Sequence, residues 1–452
     1  MPSNIEVEQA VLGALLLSKE KYPEVDAMIN SSDFDSEVHK EIYACIKELA
    51  DQEKGIDYIT VSKLLERKNS LKRIGGVEYL KELQNIPISG YAAESYAGLV
   101  KDQSIDRNLR KVLEELLKTV RDPNGKTSDE LLHEAEAKIF ELSENRKNAS
   151  SLIQIKEYVG ETLDKLEELS NSQGELIGSS SGFKAIDNIT QGLQNEDLIV
   201  IAGRPSMGKT SLAMNIAENI SKNEEGCVAV FSLEMSSQSL TSRMLASMAS
   251  ISQGNVKSGN LTERQWEKIV KEAKNLDGIN LFIDDTPNIS PMEIRASCRR
   301  LKKQFRNNGG VKLVVIDYIQ LMQMPGKNDN RVNELSDISR SLKHLAKEIN
   351  APVIVLSQLN RAVEQRPSKR PQMSDLRDSG AIEQDADLIF MLYRDYVYTK
   401  NEEWKNVAEV RLVKHRNGPT KDILLSFREE LTRFGDLAPE VMNSYAQDRA
   451  AD

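Results

Sequence analysis

The chain has 452 residues, 39% hydrophobic and 29% charged, with a formal net charge of −10. That length exceeds one ordinary core and calls for two or three domains of normal globular composition. The acidic total excludes a protein coated in positive charge, though not one with a local basic surface, and no run of about 18 apolar residues announces a membrane helix.

The opening "MPSNIEVEQAVLGALLL" has acidic flanks and no basic stretch, so it does not read as a signal peptide. Three scattered cysteines, Cys45, Cys227 and Cys298, form no CxxC pair. A disulfide framework or zinc knuckle is therefore not expected, and a reducing cytoplasm fits. Residues 1–100 read as a helical domain, with Val7, Val11, Ala14 and Leu15 on one 3.6-residue face. Residues 101–150 read as a helical hairpin. Its first arm carries Leu109, Val112, Leu113, Leu116, Leu117 and Val120, and "RDPNGK" is the turn. Thr127 and Glu130 have capping-box spacing ahead of the second arm. Such a pair leaves apolar surface for a partner to cover.

Residues 151–182 read as a linker. Ile155, Val159, Leu163 and Leu166 share one helical face, and a Ser/Gly-rich stretch over 170–183 follows. Periodicity leaves open whether this helix packs on its own subunit or docks on a neighbour. From 183 to 452 the pattern changes to short β-branched runs alternating with helices: "LIVIA", "CVAVFS", "INLFID", "KLVVID", "VIVLS" and "DLIFMLY". Continuous apolar strands of this kind predict a mostly parallel sheet covered on both faces. "AEVRLV" and "ILLSFR" predict a closing antiparallel pair.

"LIVIA" runs into "GRPSMGKT" (203–210) and then into a helical stretch. This is GxxxxGK[ST] in its strand–loop–helix setting. Ser206, Gly208 and Ser211 belong to the phosphate cradle. Lys209 would neutralise the β- and γ-phosphates, and Thr210 would ligate Mg²⁺. Phosphoryl transfer also needs a metal-side carboxylate, a base and a cation. Asp317 closes "KLVVID" and suits the Mg²⁺ shell. Glu234 follows "VAVFS" and suits a general base, and Gln358 closes "VIVLSQ", where it can sense the γ-phosphate. The cation candidates are Lys414 and Arg416 in "VKHRNG", on a late strand expected on the sheet's far side from the phosphate loop. They would reach the nucleotide of an adjacent subunit. The stretch 361–380 carries Arg361, Arg366, Lys369, Arg370 and Arg377 against Glu364, Asp375 and Asp378, 5 − 3 = +2 in an acidic chain. Without interleaved aromatics, it suits phosphate contacts better than base stacking.

Together these segments, with "NIEVEQAVLGALLL", "FSLEMS", "VVIDYIQLM", "SQLNRAVEQRPSKRPQMSDLRDSGAIEQDADLIFMLYR" and "KHRNGPT", resemble the DnaB-type replicative DNA helicases along essentially the whole chain. The resemblance implies an all-α N-terminal domain, a linker helix and a RecA-like α/β ATPase domain. It implies a homohexamer that encircles single-stranded DNA, moves 5′ to 3′ on ATP with Mg²⁺, and contacts primase and a helicase loader. By the same resemblance Arg377, Asp378 and Gly380 meet the DNA backbone, and Arg243 lies near the nucleotide. Lys414 and Arg416 match the trans-acting pair. Gly203 stands where alanine is common, Met207 where a smaller residue is, and Lys421 where glycine often follows "GPT"; none removes a catalytic group. The alternative is a RecA-like DNA-dependent ATPase of recombination or repair that does not unwind. A zinc-bearing repair type lacks its cysteines here, a clock-type hexamer would not need the basic stretch, and a transporter would carry an LSGGQ-like signature.

Overall fold

The computed structural model describes residues 4–52, 54–86, 93–123, 176–324 and 331–451, with scattered positions between 125 and 167. Glu130, Leu166 and residues 170–175 of the Ser/Gly stretch lie outside the described residues, as do the side chains of Arg377 and Asp378. The chain divides into two units, Met1–Thr162 and Leu163–Asp452.

The first unit is helical. Its opening helix, Asn4–Leu17, buries Val7, Val11, Ala14 and Leu15 in one cluster with Ile42, Ile46, Leu65 and Leu80. Through this core runs a polar line. His39 Nδ1 meets Glu8 Oε2 at 2.6 Å, and His39 Nε2 meets the Tyr79 hydroxyl at 2.7 Å. Glu8 also accepts from the backbone amides of Asp35 and Ser36. Burial pushes the Glu8 carboxyl up, but the His39 and amide hydrogen bonds outweigh it and hold it below the usual 4.5. A carboxylate with a depressed native pKa stabilises above its unfolded value, and that contribution is lost as pH falls through the native one. Glu8→Gln is therefore expected to cost about 1–3 kcal/mol at pH 7, shrinking in acid below the unfolded value. Amide exchange in helix Asn4–Leu17 as a function of pH reads this directly.

The long helix Ala93–Arg121 buries only its first part, at Ala93, Ala97, Val100 and Ser104. Beyond it Leu109, Leu113, Leu117 and Val120 are exposed, the last two at 56% and 59%. Among the described residues, much of the apolar stripe read from the sequence is thus left uncovered.

The second unit is built on a nine-stranded sheet in the order β3-β2-β4-β5-β1-β6-β7-β8-β9. The strands are β1 Leu198–Gly203, β2 Cys227–Ser232, β3 Leu281–Asp284, β4 Val311–Asp317, β5 Val353–Gln358, β6 Leu388–Tyr393, β7 Val407–His415, β8 Lys421–Arg428 and β9 Arg433–Asp436. Strands β1 to β6 run parallel, and β6 to β9 are antiparallel neighbours. Alternation along β1 splits the core. Leu198, Val200 and Ala202 face one cluster, with Ile294 and Cys298 of helix Pro291–Gln304 and Ile338 and Leu342 of helix Arg331–Ile349. Ile199 and Ile201 face the other, with Leu212, Ile216 and Ile220 of helix Lys209–Asn223. Both faces are covered, which is why the strands read as unbroken apolar runs. Strand β3 is the exception. It is the edge of the parallel part, and Phe282 is partly exposed. The antiparallel pair is extended by β9, which ends before the C-terminal helix Pro439–Ala451.

Candidate active site

In parallel α/β sheets, ligands gather outside the carboxyl ends of the strands where the order switches. Here that edge holds Gly203 at the end of β1, Asp317 at the end of β4, Gln358 at the end of β5, and Glu234 two residues past β2. In space these strands lie side by side as β2-β4-β5-β1. Four residues spread over 155 positions of sequence thus line one edge.

The loop 203–208 leaves β1 through two positive-φ residues, Ser206 at 66° and Gly208 at 96°. The glycine is required twice over, because a Cβ there would stand 3.0 Å from the Phe434 ring as well as in an unfavourable conformation. The loop ends on helix Lys209–Asn223, whose first amides and dipole favour an anion. Lys209 Nζ donates to Gly203 O at 2.9 Å. Burial pulls its ammonium below the usual lysine range, opposed by Asp317 and Glu234. Thr210 Oγ1 donates to Asp317 Oδ2 at 2.7 Å. Burial pushes the Asp317 carboxyl up and Glu234 adds to it, while the Thr210 hydroxyl opposes. A buried carboxylate and a hydroxyl in contact, with a second carboxylate near, are hard oxygen donors suited to a cation that keeps water and phosphate oxygens in its shell.

Glu234 is exposed on the turn after β2, which Ser232 Oγ fixes by accepting from Met235 N at 3.2 Å and donating to Met235 O at 2.7 Å. Leu233 N donates to Asp317 O at 2.7 Å, tying that turn to β4. Gln358 is gripped by Gln320, whose Oε1 accepts from Gln358 N and whose Nε2 donates to Gln358 O, both at 3.2 Å. Arg243, on helix Ser237–Met248, borders a small cavity with Thr210 and Ser211. Its Nε is buried and makes no hydrogen bond among the described residues.

Sequence reasoning missed one support of this edge. Arg394, 1% exposed, donates from Nη1 to Ser206 O at 3.1 Å and lies over the Phe427 ring at 4.6 Å. It props the phosphate loop from below. The signal was present, since Arg394 follows an apolar strand as Asp317 ends one.

Lys414 and Arg416 are elsewhere. His415 pairs with Leu388, and Leu388 with Ile199, so this end of β7 lies at the amino end of β1. The four steps from Ile199 to Gly203 span roughly 13 Å at about 3.3 Å per residue. Lys414 Nζ donates to Glu383 O at 2.6 Å, and Arg416 Nη1 to Asp387 Oδ1 at 3.2 Å. Arg416 is nonetheless 63% exposed along its side chain. Neither faces its own phosphate loop.

In the basic stretch, Gly380 is exposed at the start of helix Gly380–Asp385. Arg370 is turned inward. Its Nε donates to the buried Glu409 at 3.0 Å and its guanidinium lies 5.1 Å from the Tyr393 ring centre.

A doubly covered parallel sheet with a phosphate loop, a buried strand-end aspartate and a neighbouring exposed glutamate defines a RecA-like P-loop ATPase. The model of the DnaB-like helicase C-terminal domain matches residues 178–436, and that of the N-terminal domain residues 1–102. The chain is 42% identical to the replicative DNA helicase DnaC of Bacillus subtilis over 437 residues, 96% of this chain and 95% of that protein. It is equally 42% identical to the replicative DNA helicase DnaB of Geobacillus stearothermophilus, over 439 residues and with the same coverage. A solved DnaB-like replicative helicase, described with its interactions with primase, superposes with a TM-score of 0.73 at 33% identity, covering 96% of this chain and 99% of that one. The chain belongs to the DnaB-like replicative helicase family, a class of ATP-dependent enzymes. Among the described residues no helix is long and apolar enough to cross a membrane.

Proposed function

We propose that the chain is the subunit of a homohexameric ring that moves 5′ to 3′ on single-stranded DNA and parts the duplex ahead of it, driven by ATP. The carrying observation is the position of Lys414 and Arg416, at the opposite end of the sheet from the subunit's own phosphate loop. An exposed cation there is out of reach of its own nucleotide, which supports a role at a neighbour's. Lys209 holds the β- and γ-phosphates, and Thr210 with Asp317 would hold Mg²⁺. The metal would supply charge neutralisation and alignment of the phosphates. Glu234 takes the proton of the attacking water as the bond to the γ-phosphorus breaks, Gln358 reads the γ-phosphate, and Arg243 lies beside the nucleotide. Arg416 of the adjacent subunit stabilises the charge that develops.

Two apolar surfaces support a ring. One is the uncovered stripe of helix Ala93–Arg121. The other is a groove of about 740 Å³ bordered by Leu245, Val256, Leu261, Trp266 and Ile269. It suits a neighbour's linker helix, whose Ile155, Val159 and Leu163 are exposed. The domain bounds we favour are 1–100, 101–150, 151–182 and 183–452. Around the channel Arg377, Asp378 and Gly380 hold the DNA backbone without reading sequence, so binding falls steeply with salt. Arg370 serves by shaping this segment from behind, given its pairing with Glu409. The N-terminal and linker parts meet primase and a helicase loader.

The test is displacement of a labelled strand from a fork with both tails single-stranded. ATP-dependent displacement, stopped by a bulky block on the 5′-tailed strand and not on the other, is expected. DNA-stimulated ATPase without displacement would instead mean a recombination-type ATPase.

A further inference from the structure

The second residue of the phosphate loop is not spent on phosphates. Arg204 is buried, and its Nη1 donates to Leu359 O at 2.8 Å. Its Nε donates to Glu364 Oε1 at 2.9 Å. Leu359 is the residue after Gln358. Glu364 lies in the 3-10 turn Arg361–Gln365, which opens the basic stretch. One side chain thus spans the phosphate loop, the end of β5 and the start of the DNA-facing segment.

The bonds continue on both sides. Gln320 grips the Gln358 backbone, and also donates to Ser357 Oγ at 2.9 Å. Lys369 Nζ donates to Glu364 O at 2.6 Å. Asn360 N donates to Asp375 O at 3.1 Å, and Arg366 pairs with Asp375 at 2.6 Å. Asp375 stands two residues before Arg377. These groups do not form a solid block. Arg204, Gln320, Gln358, Asn360 and Asp375 line a cavity of about 340 Å³, which leaves the segment room to shift.

A planar guanidinium with two partners at fixed angles holds their relative positions, which a lysine's single point charge cannot do. Glu364 answers it, its carboxyl held below the usual range chiefly by Arg204. We propose that Arg204 is a positioning residue that couples the nucleotide site to the DNA-facing segment, carrying displacement of the phosphate loop to Leu359 and Glu364. This rests on the reading that segment 361–380 meets single-stranded DNA. Coupling is reciprocal, so DNA on that segment must also alter the phosphate loop through the same bonds.

The experiment uses the full chain and steady-state ATPase with and without oligo(dT). Glu364→Gln removes the charge from an exposed acid that touches neither nucleotide nor the reacting atoms. Its DNA-free rate is expected to stay within about twofold of the parent, while stimulation by oligo(dT) falls about fivefold or more. Arg204→Lys is expected to lose stimulation at least as strongly, and the double variant Arg204→Lys/Glu364→Gln to lose no more than Arg204→Lys alone. A second readout is oligo(dT) affinity by anisotropy with a non-hydrolysable ATP analogue and with ADP. The parent is expected to differ between the two nucleotides, and Glu364→Gln to lose that difference. A stimulated parent with an unchanged ratio in Glu364→Gln overturns the coupling role alone. A parent that oligo(dT) neither binds nor stimulates overturns this role together with the reading beneath it.

Discussion

Arg416→Ala is expected to lower the DNA-stimulated ATPase kcat by roughly 10³-fold or more, the range of an arginine finger. Three features set the size and selectivity of this loss. Arg416 is 63% exposed and its ionic partner Asp387 keeps a hydrogen bond from Leu198 N at 2.8 Å and an ion pair with Lys343. The subunit fold should therefore survive. The guanidinium lies a full strand length from its own Lys209, so nucleotide affinity of an isolated subunit should change little. And the charge it would answer develops only as the γ-phosphoryl group leaves, so the loss falls on kcat rather than on KM. Arg416→Lys keeps the charge without the fork and is expected to recover only a small part of the rate. Steady-state kinetics on all three proteins checks this. Parent-like turnover in Arg416→Ala would remove the finger.

Glu234→Gln is expected to reduce kcat by about 10²–10⁴, the usual worth of a general base. The substitution is isosteric, and Glu234 is exposed on a turn whose shape Ser232 fixes, so structure and nucleotide binding should persist. Its charge also pushes the Asp317 and Tyr318 acids up. Removing it relieves that push on Asp317 and takes one negative charge away from the approaching phosphates, so nucleotide affinity should not fall. Slower turnover with equal or better nucleotide affinity, by rapid-quench kinetics and by equilibrium binding, is the pattern expected. Equal losses in binding and turnover would point instead to a structural role.

How much of this was legible in the sequence depends on distance along the chain. The strand–loop–helix around Lys209 is local, and its pattern is complete within 198–220. Asp317 and Gln358 stood out because each ends an apolar run. That they lie on adjacent strands did not, since β1 sits between β5 and β6, both more than 150 residues later. The contacts of the supports were hidden for the same reason, although Arg394 itself follows an apolar strand. Arg394 meets Ser206 across 188 residues, and Arg204 meets Glu364 across 160. Composition also ranked all basic residues of 361–380 alike. The structure separates Arg370, which is paired with Glu409 and shielded by Tyr393, a partner set 39 and 23 residues further on. The run "INLFID" read like the other core strands, yet β3 has a partner on one side only and leaves Phe282 partly in water.

The central claim is that each nucleotide is completed by a neighbour. The direct measurement is DNA-stimulated ATPase of Lys209→Ala and Arg416→Ala, each alone and mixed, with mixed assemblies verified by mass. Each alone should be inactive, the first for want of its phosphate lysine and the second for want of its finger. In a mixed ring, an intact phosphate loop from an Arg416→Ala subunit can face an intact Arg416 from a Lys209→Ala neighbour. Activity regained on mixing, well above the sum of the two, is the expected result. Mixed rings that stay as inactive as either parent would contradict the reading that Arg416 completes a neighbour's site independently of the others.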